Sequence, residues 1–340
     1  MALAVLSGAS ASAETLRVAT YHTSLSRNGP GLLLRDLQSG DDTRIIATLS
    51  VIAAAAPDIL VLQDMDYDAD HAALRRLADE LTGLGVDYPH HLALRPNTGR
   101  PTGVDIDGDG RSHAARDAHG YGFFNGQGGM AVLSRHPIGD IRDFSAFVWA
   151  DLPGGHAADV VPAPALDLLR LHSVAAWDVQ ILTPYGALHL LTSHASPPVF
   201  DGPEDRNGRR NEDELRFWQL YLDGWSPDGA RFAADRFAVI GTLNVDPMRG
   251  EGRPGGIGPL VTHPRLQDPR PRTGTGGTAT ADWADPTPGD LRVDYILPAA
   301  MMDVAAAGII WPGDQPIMGI TAEQAAAASD HRLLWLDLRF

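Results

Sequence analysis

The sequence predicts a layered α/β fold, with helices covering a sandwich of sheets. Three observations predict it. The first quarter of the chain alternates short strand-forming runs with helical periodicities. From about residue 130 onward, short apolar strands follow one another. Polar clusters then sit immediately behind those strands.

Leu16–Tyr21 alternates and is rich in strand formers, so it reads as the first strand. Asp42–Ala56 carries Ile45, Ile46, Leu49 and Ile52 at helical spacing, and Pro57 stops it. Ile59–Gln63 is a short apolar run, a buried strand. Ala69–Leu84 repeats Leu74, Leu77, Leu81 and Leu84, a second amphipathic helix. Met130–Ser134, Asp178–Leu182, Leu188–Thr192, Phe237–Gly241, Val293–Leu297 and Leu333–Leu338 read as further strands, with Pro184-Tyr185-Gly186 joining two of them as a hairpin. A helix over Glu212–Leu222 opens with Asn211 and has Glu214 three positions on, a capping-box pattern. Stretches near 96–128, 153–168 and 248–290 are rich in Gly, Pro, Asp or Arg and read as loop insertions. With no internal repeat and no clean linker, 14–340 is expected to be one domain.

Composition narrows the chemistry. The 340 residues are 44% hydrophobic and 21% charged, a globular balance. No run approaches the ~18 apolar residues of a membrane span. The chain has no cysteine, which excludes disulfides, thiol nucleophiles and cysteine-held zinc. All 27 basic residues are arginine, which excludes a Schiff-base lysine and a P-loop lysine. The formal net charge of −16 disfavours loose binding to nucleic acid. It does not disfavour a phosphate substrate, because bound divalent cations and a few arginines invert the local field. Residues 1–13 are small and apolar and end Ala11-Ser12-Ala13 before Glu14, the pattern of a cleaved export signal without its basic start. They predict a secreted or periplasmic protein; the alternative is a disordered tail. No G-x-S-x-G elbow or H-E-x-x-H helix is present.

The candidate chemistry lies at strand ends: Tyr21-His22, Gln63-Asp64, Ser193-His194, Gly241-Thr242-Leu243-Asn244, Asp294-Tyr295 and Ser329-Asp330-His331. Each alone has a plain structural explanation, a satisfied histidine or a turn. In this order, together with Gly129–Arg135, Thr192–His194 and Arg292–Leu297, they resemble the endonuclease/exonuclease/phosphatase superfamily of metal-dependent phosphoesterases. The resemblance runs from about Leu16 to Phe340. It implies a four-layer α/β sandwich, two central mixed β-sheets flanked by helices. It also implies a phosphoester substrate, whether small molecule, lipid head group or nucleic acid, and Mg2+ or Mn2+ as cofactor.

By the same resemblance Asp64 is the chief metal ligand with Asp330 helping. Asn244 and His194 contact the phosphoryl group, and His331 touches it or moves a proton, held by Asp294. Phosphate ester hydrolysis needs charge neutralisation, an oriented water and help for the leaving oxygen, which suits these residue types. Three positions depart from the family pattern. His22 stands where Asn is usual, and Gln63-Asp64 where Gln-Glu is usual. Thr242 stands where an Asp orients and deprotonates the attacking water. Threonine is no base at neutral pH, and losing a general base costs about 10²–10⁴ in rate. Asp246 is a conceivable substitute, although a turn residue before Pro247 is the plainer reading.

Two further features stand out. Asp105, Asp107 and Asp109 form a D-x-D-x-D-G run that opens like a calcium loop but lacks the closing Glu, so a structural Ca2+ site competes with a solvated acidic turn. Arg206, Arg209 and Arg210 crowd one segment. Arg209 and Arg210 could clamp a phosphate, or pair with Glu204, Asp205, Glu212 and Asp213. The leading expectation is therefore an exported divalent-metal-dependent phosphoester hydrolase. The second is a catalytically weakened relative that binds a phosphorylated ligand, and a calcium-stabilised structural protein ranks last.

Overall fold

A computed structural model describes residues 15–283 and 286–340; the signal-like segment 1–13 lies outside the described residues. Along the chain come β1 (Thr15–His22), α1 (Leu32–Ser39), α2 (Thr43–Ala55), β2 (Ile59–Met65), α3 (Ala72–Gly83), β3 (His90–Leu92), β4 (Gly129–Ser134), β5 (Ile138–Asp143) and the single turn α4 (Ala157–Val160). Then follow β6 (Ala175–Thr183), β7 (Gly186–His194), α5 (Arg206–Leu222), β8 (Phe237–Thr242), α6 (Pro254–Val261), β9 (Asp294–Pro298), β10 (Asp303–Ile309), α7 (Ala322–Ala328) and β11 (Leu334–Arg339).

These strands make two mixed sheets, ordered β10-β11-β1-β2-β4-β3 and β5-β6-β7-β8-β9. Each contains one parallel pair, β1 with β2 and β7 with β8. Parallel neighbours need a crossover, and helices supply it: α1 and α2 in the first sheet, α5 in the second. The two pairs face each other, with β1 against β8 and β9 and β2 against β8.

Strand alternation decides what lies between the sheets. In β1, β2 and β4, Val18, Ile59, Val61, Met130 and Val132 point into the inter-sheet core. Their alternates Ala19, Tyr21, Leu60, Leu62, Ala131 and Leu133 pack outward with Leu37, Ile52, Leu77 and Ala328 of α1, α2, α3 and α7. On the far side, Phe217 and Trp218 of α5 cover the second sheet, and the Trp218 indole donates to Ser193 Oγ at 3.0 Å. Helix, sheet, sheet, helix is the four-layer sandwich that the resemblance implied.

The predicted strands are all present, and the β6–β7 hairpin turns at Pro184-Tyr185. Helix α2 is capped by Asp42, whose carboxylate accepts Ile45 N–H. Three expectations need correcting. The helix expected to open at Asn211 begins earlier, at Arg206, so Asn211 and Glu214 form no capping box. Both are buried ties instead. Asn211 donates to the carbonyls of Ser196 and Leu243, while Glu214 accepts from Ser173 N–H, Ser173 Oγ and Ser196 N–H. Helix α3 starts at Ala72 rather than Ala69, because Asp68 takes the N–H groups of Ala72 and Ala73. The stretch 248–290 is not loop throughout: it carries α6, which packs on α5.

Candidate active site

Because side chains alternate, the last inward-facing residues of the central strands converge. His22 ends β1, His194 ends β7, Thr242 ends β8 and Asp294 begins the antiparallel β9 directly opposite Thr242. Gln63 lies beside His22 in the β1–β2 register. Asp64 follows as the extra residue of a β-bulge against β4, with φ 56°. A bulge re-aims one side chain out of a ladder, and here it turns Asp64 into a cleft. Gly128, at φ 55°, makes room for it: a Cβ there would lie 2.7 Å from Asp64 Oδ1. Asn244 is also left-handed, at φ 59°. Non-glycine residues in that region cost about 1–3 kcal/mol and cluster at functional sites.

Asp294 organises the centre. Its Oδ2 is 2.8 Å from His331 Nδ1, and its Oδ1 accepts the Thr242 hydroxyl at 2.6 Å. Its own N–H donates to Thr280 Oγ1 at 2.9 Å. The His331 ring is stacked on His22 at 4.0 Å and met edge-on by Trp283 at 5.5 Å; His22 in turn meets His194 edge-on at 5.1 Å. The loop bearing His331 is fixed by Ser329, whose hydroxyl donates to the His22 carbonyl and accepts His331 N–H. Asn244 Nδ2 spends one hydrogen on the Ala195 carbonyl at 2.7 Å.

The electrostatics follow from burial and these partners. Burial pushes the Asp64 carboxyl up, against the pull of His194 and His331. Burial, with His331 close by, drives His22 well below its ordinary value; burial and His22 bring His194 down to about 3. Burial pushes Asp294 up too, but the His331 ring and its hydrogen bond, then His22 and Thr242, outweigh it and hold the carboxyl below the usual range. A carboxylate bonded to Nδ1 fixes that tautomer of His331 and leaves Nε2 as the working nitrogen.

The structure thus gathers His22, Gln63, Asp64, His194, Thr242, Asn244, Asp294 and His331. Asp330 stands apart: its side chain is exposed, and its carbonyl accepts Asp282 N–H. Asp246 is a turn residue. Its carboxylate is consumed by the N–H groups of Met248, Arg249 and Arg292. Arg209 pairs with Asp159, and Arg210 donates to the carbonyls of Leu171, His119 and Arg170. Their expected acidic partners are taken elsewhere: Arg253 holds Asp205 and Glu212, Asp213 accepts Trp149 Nε1 and His156 N–H, and Glu204 accepts Gly202 N–H. Asp105, Asp107 and Asp109 do approach, with one oxygen of each within 4.8 Å of the others. Four loop N–H groups, of Gly108, Asp109, Gly110 and Arg111, already hydrogen-bond to them.

Sequence reasoning missed Thr280 and Trp283. Both lie in an insertion whose composition gives no sign that it folds back on His331. It also missed the cleft itself, about 580 Å³, which runs from Asp64 and His194 past Thr98 and Tyr121 to Phe200 and the first turn of α5.

Two facing sheets that gather imidazoles, carboxylates and an asparagine at one corner, with Asp64 and His194 lining the cleft beside it, define a nuclease- and phosphatase-type α/β sandwich. The sequence matches the Endonuclease/Exonuclease/phosphatase family over residues 33–331, and the chain belongs to it. Members of that family are hydrolases and generally use divalent metal ions. An endonuclease/exonuclease/phosphatase from Beutenbergia cavernae is similar to the chain at 22% identity and TM-score 0.58, over 96% of this chain and 72% of that one. Sphingomyelinase C from Streptomyces griseocarneus gives 17% identity and TM-score 0.52, over 95% and 99%. TDP2 from D. rerio, complexed with a single-strand DNA product, gives 13% and 0.51, over 96% and 99%. At these identities the likeness is one of fold. A comparison with curated proteins returns no match.

The residues present fit a hard divalent cation. Magnesium takes one or two carboxylates and keeps several waters. Asp64 is a carboxylate aimed into the cleft whose charged form burial disfavours, so a cation beside it relieves that cost. Buried polar atoms left without partners, His22 Nδ1, Gln63 Nε2 and His194 Nδ1, lie on this same corner.

Proposed function

We propose that the chain hydrolyses phosphoesters with a divalent cation, Mg2+ or Mn2+, held by Asp64. The observation that carries this reading is the hydrogen-bonded chain Thr242–Asp294–His331 close to Asp64 and His194, the two of these residues that line the cleft. When bound, the cation neutralises phosphoryl charge and polarises a ligated oxygen. The protein's own groups do the rest. Asn244 and His194 orient the phosphoryl oxygens. His331, held by Asp294, exchanges a proton at Nε2 with the reacting or leaving oxygen. Gly128 and the bulge at Asp64 keep the carboxylate on its mark.

Thr242 sets the rate. Its hydroxyl is committed to Asp294, so it neither accepts the proton of an attacking water nor carries charge. Turnover is therefore expected to be slow by about 10²–10⁴ relative to a site with a base at that position. The same observation favours a second reading, a chain that binds a phosphorylated ligand without turning it over.

The test is hydrolysis of an activated phosphodiester and an activated phosphomonoester with Mg2+ or Mn2+ and with chelator, for the unmodified chain, His331→Ala and Thr242→Asp. Metal-dependent turnover lost in His331→Ala supports the enzyme reading. Inertness of the unmodified chain with activity in Thr242→Asp supports the binding reading. Inertness of all three with either metal overturns the hydrolase reading. Export rests on Ala11-Ser12-Ala13; sequencing the N-terminus of protein recovered from cells and medium tests it, and a mature chain retaining Met1 inside the cell refutes it.

A further inference from the structure

The cleft carries more positive charge than the reacting phosphate requires. The whole chain has a formal net charge of −16, yet the only carboxylate lining the cleft among the described residues is Asp64, against Arg116, Arg206 and Arg210. Arg210 is buried and has no ion pair among the described residues. Its Nε and Nη2 are spent on three backbone carbonyls, none of which takes Nη1. Glu214 is near enough to favour its charge, although the two make no direct contact, the Glu214 oxygens being hydrogen-bonded to Ser173 and Ser196. Burial brings the Arg210 pKa down only to about 10, so it stays charged at neutral pH. Glu214 offsets part of the cost of burying this cation, and Nη1, which none of the three carbonyls takes, remains to meet an anion in the cleft. Arg116 and Arg206, from an insertion and from the first residue of α5, also form no ion pair among the described residues. Across the same space stand Tyr121 and Phe200, 59% and 81% exposed. The volume of about 580 Å³ falls within the range of small-molecule sites.

We propose that the substrate is a small phosphoester bearing a second anionic group, which Arg116, Arg206 and Arg210 hold while Tyr121 and Phe200 flank its apolar or aromatic body. This rests on the reading of the Asp64–His331 corner as the seat of the reacting phosphate. The second anion lies at the α5 end of the cleft, so its recognition is separable from the chemistry. Charge-assisted and bidentate contacts from guanidinium groups are the strong ones. The insertion that supplies Arg116 thereby sets specificity.

The experiment measures binding by calorimetry with chelator present, so that no turnover intervenes. The probes are adenosine 3′,5′-bisphosphate and adenosine 5′-monophosphate, and the proteins are the unmodified chain and the double variant Arg116→Gln/Arg206→Gln. Neither substitution touches a buried group, so the fold is kept; Arg210 is left in place for that reason. The bisphosphate is expected to bind at least tenfold more tightly than the monophosphate, and the double variant to erase that advantage. Equal affinities, or an advantage that survives in the double variant, overturn the proposal. Absence of binding by either probe also overturns it. Hydrolysis of the activated esters by the same preparation would then leave the hydrolase reading standing.

Discussion

His172 offers a sharp test of the electrostatics. The ring is 1% exposed, neither nitrogen has a hydrogen-bond partner among the described residues, and it sits edge-on to Phe217 at 4.8 Å. Burial, reinforced by Arg210, brings its pKa down to about 3. In the unfolded chain histidine titrates near ~6.5. Below that pH the unfolded chain takes up a proton that the folded ring refuses. The stability due to a neutral His172 is therefore complete above about 6.5 and drains away as pH falls toward 3. At pH 5 the loss spans about one and a half pH units at about 1.4 kcal/mol each, or about 2 kcal/mol. For a chain of this length that is a fall of about 3 °C in Tm. The assay is calorimetric unfolding of the unmodified chain and of His172→Phe at pH 7 and pH 5. Comparing the two pH shifts cancels the other titrating groups. The unmodified chain is expected to fall about 3 °C further than the variant. Equal shifts would refute the reasoning, because the imidazole would then be reaching protons without unfolding.

Other expectations are as direct. Thr242→Val removes the donor to Asp294 Oδ1; it should cost about 1–3 kcal/mol and move the acid limb of any pH–rate profile upward, which a profile at fixed metal concentration checks. Gly128→Ala pushes a Cβ against Asp64 Oδ1, so the metal concentration for half-maximal activity should rise at least tenfold, and an unchanged requirement would remove Asp64 from the metal. Glu214→Ala leaves Ser173 and Ser196 unsatisfied and Arg210 without its nearby charge; by analogy with broken buried pairs it should cost about 3–5 kcal/mol in chemical denaturation.

What the sequence made legible is the inner strands of each sheet and the buried edge strand β9. Runs such as Ile59–Gln63 and Phe237–Gly241 are apolar on both faces because helices and a second sheet cover them, and that pattern survives in any single sequence. Of the edges, only β9 was legible. β5 reads Ile-Gly-Asp-Ile-Arg-Asp and is exposed or half-buried throughout, while β10 is alanine-rich and carries a bulge. Neither has the alternation that marks a strand. Helix α5 was cut short because Arg206–Arg210 looks like a solvated loop, whereas Gly208 and Arg210 are buried within the helix. At the site, the residue types at strand ends were readable, and so was the substitution at 242. That the Thr242 hydroxyl joins Asp294 was not readable, since the two are 52 positions apart and meet only through the β8–β9 register.

The strand β1, which ends in His22, is paired on one side with β2 and on the other with β11, Thr15 opposite Arg339. A ribosome delivers β2 soon after β1, but β11 only after every other element of the fold. Until then β1 lacks one neighbour, and the loop bearing His331, tied to His22 through Ser329 and to Asp294, has no strand behind it to anchor its far end. The corner that gathers His22, His194 and His331 is therefore the last part of the sandwich to be braced on a nascent chain. A chain released before β11 has emerged carries most of the sandwich but leaves that corner open on one side.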